Sequence, residues 1–342
     1  MSNALHLSKK VFSKDIDQVP TRNGYGEGLL ALGETNQNVV VLTGDLADST
    51  RVLPFWKKYP ERFIECGVAE QNMMGIAAGL AAAGKIPFVS SYAVFVPGRC
   101  WDQLRVSVCY SNLPVKVAGA HAGISVGPDG ATHQALEDVA IVRAIPNITV
   151  IVPCDAIEAK KVTMAVAATP GPVYFRFARE KTAVFTTEKT PFEIGKAEVF
   201  REGSDVTIIG CGPLLHKALV AAEILSGNTT LAKNYQLPIT NYPALNVEVI
   251  NCHTIKPIDA KTLAASAKKT GAVVTVEEHQ IVGGLGGAVA EVLAQHAPVP
   301  MEFVGMPNSF GESGQPDELL EKYGMGVKDI LAAVGRVLRR KK

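Results

Sequence analysis

Residues 62–84 read RFIECGVAEQNMMGIAAGLAAAG and combine a short strand with a helix. The apolar residues before Gly67 predict the strand, and the glycine ends it. The helix begins around Glu70, whose charge complements the positive end of the helix dipole. The small residues that follow allow another backbone to approach closely, either inside the core or at a subunit interface. In the second case Glu70 would lie in the seam between subunits.

The same alternation of strand and helix extends along the whole chain, which is typical of parallel sheets covered by helices on both faces. The predicted strands are 39–43, 87–91, 115–118, 149–152, 173–177, 206–210, 247–252, 273–277 and 301–304. The predicted helices are 23–32, 71–82, 101–110, 155–168, 216–225, 260–270 and 287–296. The sequence therefore predicts an α/β protein whose sheets are mainly parallel and flanked by helices.

A polar stretch without a consistent period, residues 182–194, divides this alternation into two halves. We predict four parts: an N-terminal extension (1–19), a first α/β domain (20–185), a linker (186–200) and a second α/β domain (201–342). Residues 226–245 are polar and long for a connection, so they form either an ordered surface excursion or a mobile loop.

Composition excludes several classes of function. The formal net charge is +1, from 34 basic and 33 acidic residues, so no broad basic surface for nucleic acid is expected. The apolar windows are short and interrupted by glycine, which argues against a membrane span. The six cysteines form no CxxC pair, and no secretory signal is apparent, so we expect reduced thiols and a cytoplasmic protein.

Residues 121–134, HAGISVGPDGATHQ, follow a predicted buried strand and are rich in glycine. In open α/β sheets, ligands bind beyond the carboxyl ends of the strands. His121, Asp129 and His133 would offer donors, acceptors and proton carriers to a polar substrate there. A purely structural loop is the alternative. A metal site is disfavoured because the spacing matches no zinc pattern and no cysteine is close in sequence.

Aromatic and basic residues near other element ends complete the set of candidates. Tyr92 and Phe95 follow a predicted strand, and each ring is either core or a stacking surface for a flat heterocycle. Arg22, Arg99 and Arg179 lie where a guanidinium can reach a phosphate, although an exposed arginine is more often only a solvated charge.

Taken together, these motifs resemble the transketolase family. The matching segments are 43–49 (TGDLADS), the Glu70 segment, the Phe95 segment, 126–134 (VGPDGATHQ) and 146–153 (PNITVIVP), and they occur in the family's order. The resemblance extends from about residue 20 to the C-terminus, and 127–134 is its most specific part. It implies a thiamine diphosphate enzyme that passes a two-carbon ketol unit from a ketose phosphate to an aldose phosphate, as in the pentose phosphate pathway.

The resemblance also implies that part of the enzyme is supplied by another chain. Family members bind the cofactor's diphosphate and a divalent cation, usually Mg²⁺, through a Gly-Asp-Gly run in a preceding domain, and this sequence has no such run. The chain is therefore similar to the C-terminal subunit of a split transketolase. We expect a companion N-terminal subunit that holds the diphosphate and Mg²⁺, self-association through the pyrimidine-binding domain, and a heterotetramer.

By position, the resemblance assigns cofactor contacts to five residues. Glu70 matches the carboxylate that hydrogen-bonds N1′ of the pyrimidine, and Phe95 matches the ring stacked on it, with Tyr92 beside it. Asp45 and Leu46 match interface residues that approach the cofactor. Arg99 is a further cofactor-binding candidate, but residues 96–98 (VPG) depart from the family pattern and leave its role open.

A second group of positions matches the residues that bind the sugar phosphate in the family. Arg22, Ser49, His121 and Arg179 match groups that hold it. Asp129 and His133 match groups that contact its hydroxyls near the reacting carbons. With Glu70, His133 and His121 are the catalytic candidates, since a histidine can move protons at neutral pH.

Three other interpretations stay open. A deoxyxylulose-phosphate synthase shares the Asp-Gly-x-Thr-His-Gln run but typically has an acidic residue where His121 stands. The beta subunit of a 2-oxoacid dehydrogenase has the same two-domain length, but its corresponding loop differs. A non-catalytic scaffold half is the third, and it would need neither Glu70 nor His133.

Overall fold

The computed structural model describes residues 6–237 and 244–341, and these form two large sheets flanked by helices. The predicted α/β class with mainly parallel sheets is confirmed. Within the stretch 226–245, for which the sequence left two alternatives open, residues Thr229–Asn234 are helical, whereas 238–243 lie outside the described residues, as do 1–5 and 342.

The first sheet has seven strands in the order β12-β6-β7-β5-β4-β2-β3, and all neighbours are parallel except β12 and β6. Its strands are β2 (Val39–Thr43), β3 (Phe63–Glu65), β4 (Ile86–Tyr92), β5 (Lys116–Ala120), β6 (Thr149–Ile151), β7 (Val173–Arg176) and β12 (Thr254–Lys256). A two-stranded antiparallel ribbon, β1 (Gln18–Pro20) with β8 (Lys181–Ala183), joins the start of this half to its end.

The second sheet has five strands in the order β14-β13-β10-β11-β9, and only β9 is antiparallel to its neighbour. Its strands are β9 (Glu198–Arg201), β10 (Val206–Gly210), β11 (Val247–Asn251), β13 (Val273–Gln280) and β14 (Met301–Met306). β2, β5, β7, β10 and β11 are buried at every position, as expected for strands that helices cover on both faces.

In the part of the chain that the structure describes, twelve α-helical segments connect and cover the strands. They are α1 (Thr21–Thr35), α2 (Leu53–Lys58), α3 (Glu70–Ala82), α4 (Trp101–Gln103), α5 (Asp138–Arg143), α6 (Ala156–Ala168), α7 (Leu214–Leu225), α8 (Thr229–Asn234), α9 (Ala260–Thr270), α10 (Leu285–His296), α11 (Pro316–Lys322) and α12 (Val327–Arg340). α4 continues as a π-helical segment over Leu104–Tyr110, so the helix predicted at 101–110 is present with wider turns. Within the described residues, none of the helices has both the length and the apolar character needed to cross a bilayer.

The two halves are tied together by buried polar contacts as well as by a shared sheet. β12 comes from the second half of the chain but forms the edge of the first sheet. Arg176 at the end of β7 donates one hydrogen bond to Asp138 (2.5 Å) and another to the backbone carbonyl of Glu278 (2.6 Å). Because these groups are buried, each one depends on its partner, and the halves are held in one arrangement.

Close packing of α1 against α6 sets the position of Arg22, which lies in the first turn of α1. A Cβ on Gly24 would lie 1.9 Å from the backbone oxygen of Ala156, and a Cβ on Gly28 would lie 2.7 Å from the Thr163 side chain. The two helices can approach this closely only because these positions carry no side chain.

We therefore predict that Gly24→Ala lowers the stability of the protein by at least about 2 kcal/mol, since a core that is overpacked against backbone cannot relax easily. Gly287→Ala is the matched control: Gly287 lies inside α10, and a Cβ there would meet nothing within 4 Å. That variant should be neutral or more stable by up to about 1 kcal/mol, because alanine favours helix. The midpoints of urea unfolding test both expectations. Equal midpoints for the two variants would contradict the assigned packing.

Candidate active site

Most of the candidate residues lie at or just beyond the carboxyl ends of three neighbouring parallel strands, whereas Arg22 lies in the first turn of α1 and Arg179 follows β7. β2 leads into residues 44–51, β4 into 93–99, and β5 into 121–135. This is the edge at which open α/β sheets bind ligands. The helix start at Glu70 adjoins it, because β3 pairs with β2 and leads through Gly67 into α3.

Glu70 is the first residue of α3, and its side chain is only 3% exposed. Gly67 has φ +67°, a left-handed conformation that glycine adopts without strain, and it turns the chain from β3 into α3. The Glu70 carboxylate accepts hydrogen bonds from Nη1 of Arg99, at 3.2 Å from each of its two oxygens. A buried carboxylate that is paired in this way has its charge compensated inside the protein.

Arg99 contacts an aromatic ring with the same guanidinium that binds Glu70. The guanidinium carbon lies 3.8 Å from the centroid of the Phe95 ring. Phe95 in turn stacks on Tyr92, with centroids 5.8 Å apart, and meets His133 edge to face at 5.4 Å. One aromatic cluster therefore extends from the buried carboxylate to the histidine loop.

His121 lies at the other end of this cluster. Its ring is buried, 4.0 Å from the Tyr92 centroid, and its Nε2 is 3.2 Å from Nη1 of Arg22. Arg22 also donates to the backbone carbonyl of Ser49 at 2.8 Å. Because arginine only donates hydrogen bonds, Nε2 of His121 is the acceptor and its proton resides on Nδ1.

Burial, together with the nearby charges of Arg22, Arg179 and Arg51, lowers the pKa of His121 to about 3. The ring is therefore neutral at physiological pH. Its Nδ1 is buried and has no hydrogen-bond partner within the described part of the chain. A buried donor without a partner costs free energy, so this N–H is available to a ligand oxygen.

Asp129 and Arg179 are joined by an ion pair of 2.9 Å, and Arg179 also donates to the carbonyl of Val126. The second half of the chain supports the loop that carries Asp129 and His133. The Glu278 carboxylate accepts a hydrogen bond from the Ser125 amide at 2.6 Å. The Gln134 side chain donates to the carbonyl of Glu312 at 2.9 Å.

Asp45 and Leu46 lie on the same loop as Ser49, but the contacts described there are made by their backbones. The Leu46 carbonyl accepts a hydrogen bond from Thr50, and the Asp45 amide donates to Glu65 at 2.7 Å. Glu65 also accepts from the Gly67 amide at 2.9 Å. Sequence reasoning missed this role of Glu65, which fixes the Asp45 loop beside the turn that leads to Glu70.

The structure thus brings most of the predicted site residues into one continuous set of contacts: Glu70, Arg99, Phe95, Tyr92, His133, His121, Arg22 and Ser49. The Asp129–Arg179 pair adjoins this set, since Arg179 contributes to the low pKa of His121. Asp45 and Leu46 join it only through the shared loop. Among residues 6–237 and 244–341, no group of three or more His, Cys, Asp or Glu side chains is placed to hold a metal ion.

An exposed surface of small and apolar residues lies beside the Glu70 end of the site. Gly75 and Gly79 of α3 are exposed, and a Cβ on either would meet nothing within 4 Å. Val106 and Tyr110, on the π-helical segment that packs against α3, are also exposed, Tyr110 by 85%. We call these four residues the α3 face.

Comparison with known proteins assigns each half of the chain to a family of domains. Residues 17–184 match the family described as "Transketolase, pyrimidine binding domain", and residues 195–330 match "Transketolase, C-terminal domain". The chain is 44% identical over 322 residues to the Methanocaldococcus jannaschii protein named "Putative transketolase C-terminal section", which covers 93% of this chain and 96% of that protein. It is 40% identical over 330 residues to a 6-deoxy-6-sulfo-D-fructose transketolase subunit of a Clostridium species, covering 96% and 98%.

A solved structure described as "Split gene transketolase, inactive beta4 tetramer" superposes with a TM-score of 0.82 at 42% identity, over 95% of this chain and 99% of that chain. Fold and matched domains therefore define a chain with the pyrimidine-binding and C-terminal domains of the transketolase family, to which it belongs. It corresponds to the C-terminal subunit of a split transketolase, which confirms the resemblance inferred from the motifs.

We predict that His121 stays neutral between pH 5 and pH 8, and that Arg22→Met raises its pKa toward the ordinary value because a neighbouring positive charge is removed. NMR of histidine-labelled protein would follow the imidazole signals during a pH titration. Arg339→Met, at an exposed position of α12, is the control and should leave the His121 signal unchanged. A wild-type His121 that titrates between pH 6 and pH 7 would contradict the assigned environment.

Proposed function

We propose that this chain supplies the pyrimidine-binding half of a transketolase, which transfers a two-carbon ketol unit from a ketose phosphate to an aldose phosphate. The observation that carries the proposal is the buried Glu70 carboxylate at the start of α3, with the Phe95 ring beside it. The cofactor would be thiamine diphosphate, as the two matched domains support. When bound, it would supply the carbon nucleophile and the electron sink that ketol transfer requires.

The residues of the site fit an aminopyrimidine ring. Such a ring is flat, and it needs both a stacking surface and a hydrogen-bond partner for its nitrogens. A flat nitrogen group already lies over Phe95 and bonds both oxygens of Glu70, namely the guanidinium of Arg99. The space between these two side chains therefore suits a group of this shape and polarity.

The chain's own residues have distinct tasks in this proposal. Glu70 would hydrogen-bond a ring nitrogen of the cofactor, and its burial would strengthen that bond because the local dielectric constant is low. Phe95, with Tyr92 behind it, would orient the ring. His121 is neutral and would donate its Nδ1 proton in a hydrogen bond to a substrate oxygen. His133, held by the Thr132 hydroxyl at 2.9 Å, is the candidate for proton transfer at the substrate.

Arg22 and Arg179 would bind the anionic end of the sugar, because guanidinium groups bind tetrahedral anions with two parallel hydrogen bonds. Ser49 presents its backbone to Arg22, and Asp129 pairs with Arg179, so both guanidinium groups are oriented before a substrate arrives. Asp129 would also contact sugar hydroxyls. Asp45 and Leu46 would approach the cofactor from the loop that Glu65 anchors.

A companion subunit is part of the proposal. The chain has no Gly-Asp-Gly run, so the companion would hold the diphosphate and Mg²⁺. The α3 face is our candidate for self-association, since small side chains allow two backbones to approach closely. The tetrameric state of the split-gene relative supports self-association. We expect a cytoplasmic heterotetramer, and the domain division at 1–19, 20–185, 186–200 and 201–342 stays a prediction.

The test of the proposal is an assay with xylulose 5-phosphate, ribose 5-phosphate, thiamine diphosphate and Mg²⁺, with and without the companion subunit. We expect activity only with the companion. Glu70→Gln should lower turnover about 10²- to 10³-fold, the usual effect of removing one stabilising hydrogen bond from a catalytic site. The subunits should still assemble, as measured by analytical ultracentrifugation. Glu61→Gln, at an exposed position, is the matched control and should retain full activity.

Two results would refute this assignment: full activity of the isolated chain, or unchanged turnover of the Glu70→Gln complex. The first would show that no companion is needed. The second would show that the buried carboxylate takes no part in the reaction.

A sulfonated sugar is a second candidate substrate, favoured by the 40% identity to a 6-deoxy-6-sulfo-D-fructose transketolase subunit. A sulfonate and a phosphate are both tetrahedral anions, and Arg22 and Arg179 would bind either. The values of kcat/KM for 6-deoxy-6-sulfo-D-fructose and for fructose 6-phosphate decide between them.

Arg179→Met should raise the KM of the preferred anionic acceptor sugar at least about tenfold, because a hydrogen bond to a charged group contributes about 1.5–3 kcal/mol. Glycolaldehyde carries no anionic group, so its KM as acceptor should stay the same in this variant. Parallel steady-state measurements with the two acceptors test the prediction. An equal loss with both would show that Arg179 does not bind the anion.

A further inference from the structure

Arg99 makes two contacts at once that a cofactor ring would also have to make. Its Nη1 lies 3.2 Å from both oxygens of Glu70, and its guanidinium carbon lies 3.8 Å from the centroid of the Phe95 ring. A guanidinium is planar and donates hydrogen bonds in its plane. It therefore offers the Phe95 face and the Glu70 carboxylate the same kinds of contact that an aminopyrimidine offers.

The local backbone explains why the guanidinium reaches this position. Arg99 follows Phe95 by four residues, and its amide donates to the Phe95 carbonyl at 2.9 Å, so a single hydrogen-bonded turn brings the two side chains together. Gly98 allows the turn to close, since a Cβ there would lie 2.9 Å from the carbonyl oxygen of Val94. The contact with Phe95 is thus set by sequence spacing and requires no ligand.

The two partners of this pair differ in their freedom to move. Glu70 is 3% exposed and fixed at the start of α3, whereas the Arg99 side chain is 48% exposed. Arg99 can rotate toward water and be solvated there, but Glu70 would be left as a buried charge without a partner, which is costly.

We propose that Arg99 is a placeholder for the aminopyrimidine: it keeps Glu70 paired and covers Phe95 until the cofactor binds, and it must leave before the ring can enter. The inference rests on the proposed function, because it takes the cofactor to be thiamine diphosphate. Arg99 would thus lower the affinity for the cofactor by competing with it for Glu70 and Phe95. In chains that have not yet met a companion subunit, the ion pair with Arg99 keeps the buried carboxylate compensated.

The experiment measures binding of thiamine diphosphate, in the presence of Mg²⁺, to the assembled complex by isothermal titration calorimetry. Arg99→Gln retains a hydrogen bond to Glu70 but loses the charge and most of the planar surface over Phe95. We expect its Kd to be about tenfold lower than that of the wild type, a ratio equal to ~1.4 kcal/mol. Arg99→Lys keeps the charge but not the planar group, so its Kd should lie between the two.

Stopped-flow binding provides a second readout. In the wild type the association rate constant should be lower than in Arg99→Gln, because only the fraction of sites from which Arg99 has moved away can accept the ring. The dissociation rate constants of the two complexes should be similar. Arg339→Gln removes an exposed arginine from α12 and serves as the matched control, with wild-type affinity and kinetics.

Unchanged or weaker binding by Arg99→Gln, with normal binding by the wild type, would overturn the placeholder role and leave the proposed function standing. If circular dichroism shows that Arg99→Gln does not fold, the Kd of Arg99→Lys is compared with that of the wild type instead. A Kd that is unchanged or higher would again overturn the placeholder role. A wild-type complex that binds no thiamine diphosphate at all would instead overturn the proposed function, and the placeholder role with it.

Discussion

The requirement that a buried carboxylate have a partner governs the Glu70 end of the site. Glu70 is almost fully removed from water, and an isolated ionised carboxylate in such a place is strongly disfavoured. The helix dipole at the start of α3 offsets part of this cost, and Arg99 offsets more of it. The position of Glu70 is set by the local backbone. Gly67 turns the chain into α3, and Glu65 fixes that turn by accepting a hydrogen bond from the Gly67 amide.

The parallel sheet explains why residues that are distant in sequence meet at this carboxylate. Parallel strands all end at the same edge, so the loops after β2, β4 and β5 are neighbours whatever their separation along the chain. The second half of the chain then holds the histidine loop in place. Glu278 binds the Ser125 amide, and the carbonyl of Glu312 accepts from Gln134. The C-terminal domain is therefore part of what positions the site.

The sequence predicts much of this architecture, because the alternation of apolar strands with helices is a local property. It also places Glu70 at a helix start, and the structure agrees. What it could not predict depends on contacts through space. β12 is only three residues long and joins the first sheet although its sequence neighbours belong to the second. Arg99 and Glu70 are separated by 29 residues, and Ser125 and Glu278 by 153, so no periodicity relates them. Motif resemblance supplied expected roles for Glu70 and Phe95, but it left Arg99 open because residues 96–98 depart from the family pattern.

Charge divides the site into two ends with different properties. At the Glu70 end, the single negative charge of Glu70 is balanced by Arg99. At the other end, the charges of three guanidinium groups act on His121 and, together with its burial, lower its pKa to about 3. Ion pairs with carboxylates offset part of that positive charge, at Arg179 and at Arg51.

An anion bound at this second end would reverse part of the shift, because it would stabilise the protonated imidazole. By thermodynamic reciprocity, protonation of His121 would then strengthen anion binding to the same extent. Because its pKa starts near 3, even an upward shift of about two units would leave the ring mostly neutral at pH 7. Toward an anionic ligand, a neutral His121 would therefore act as a hydrogen-bond donor, and His133 remains the group that we propose for proton transfer.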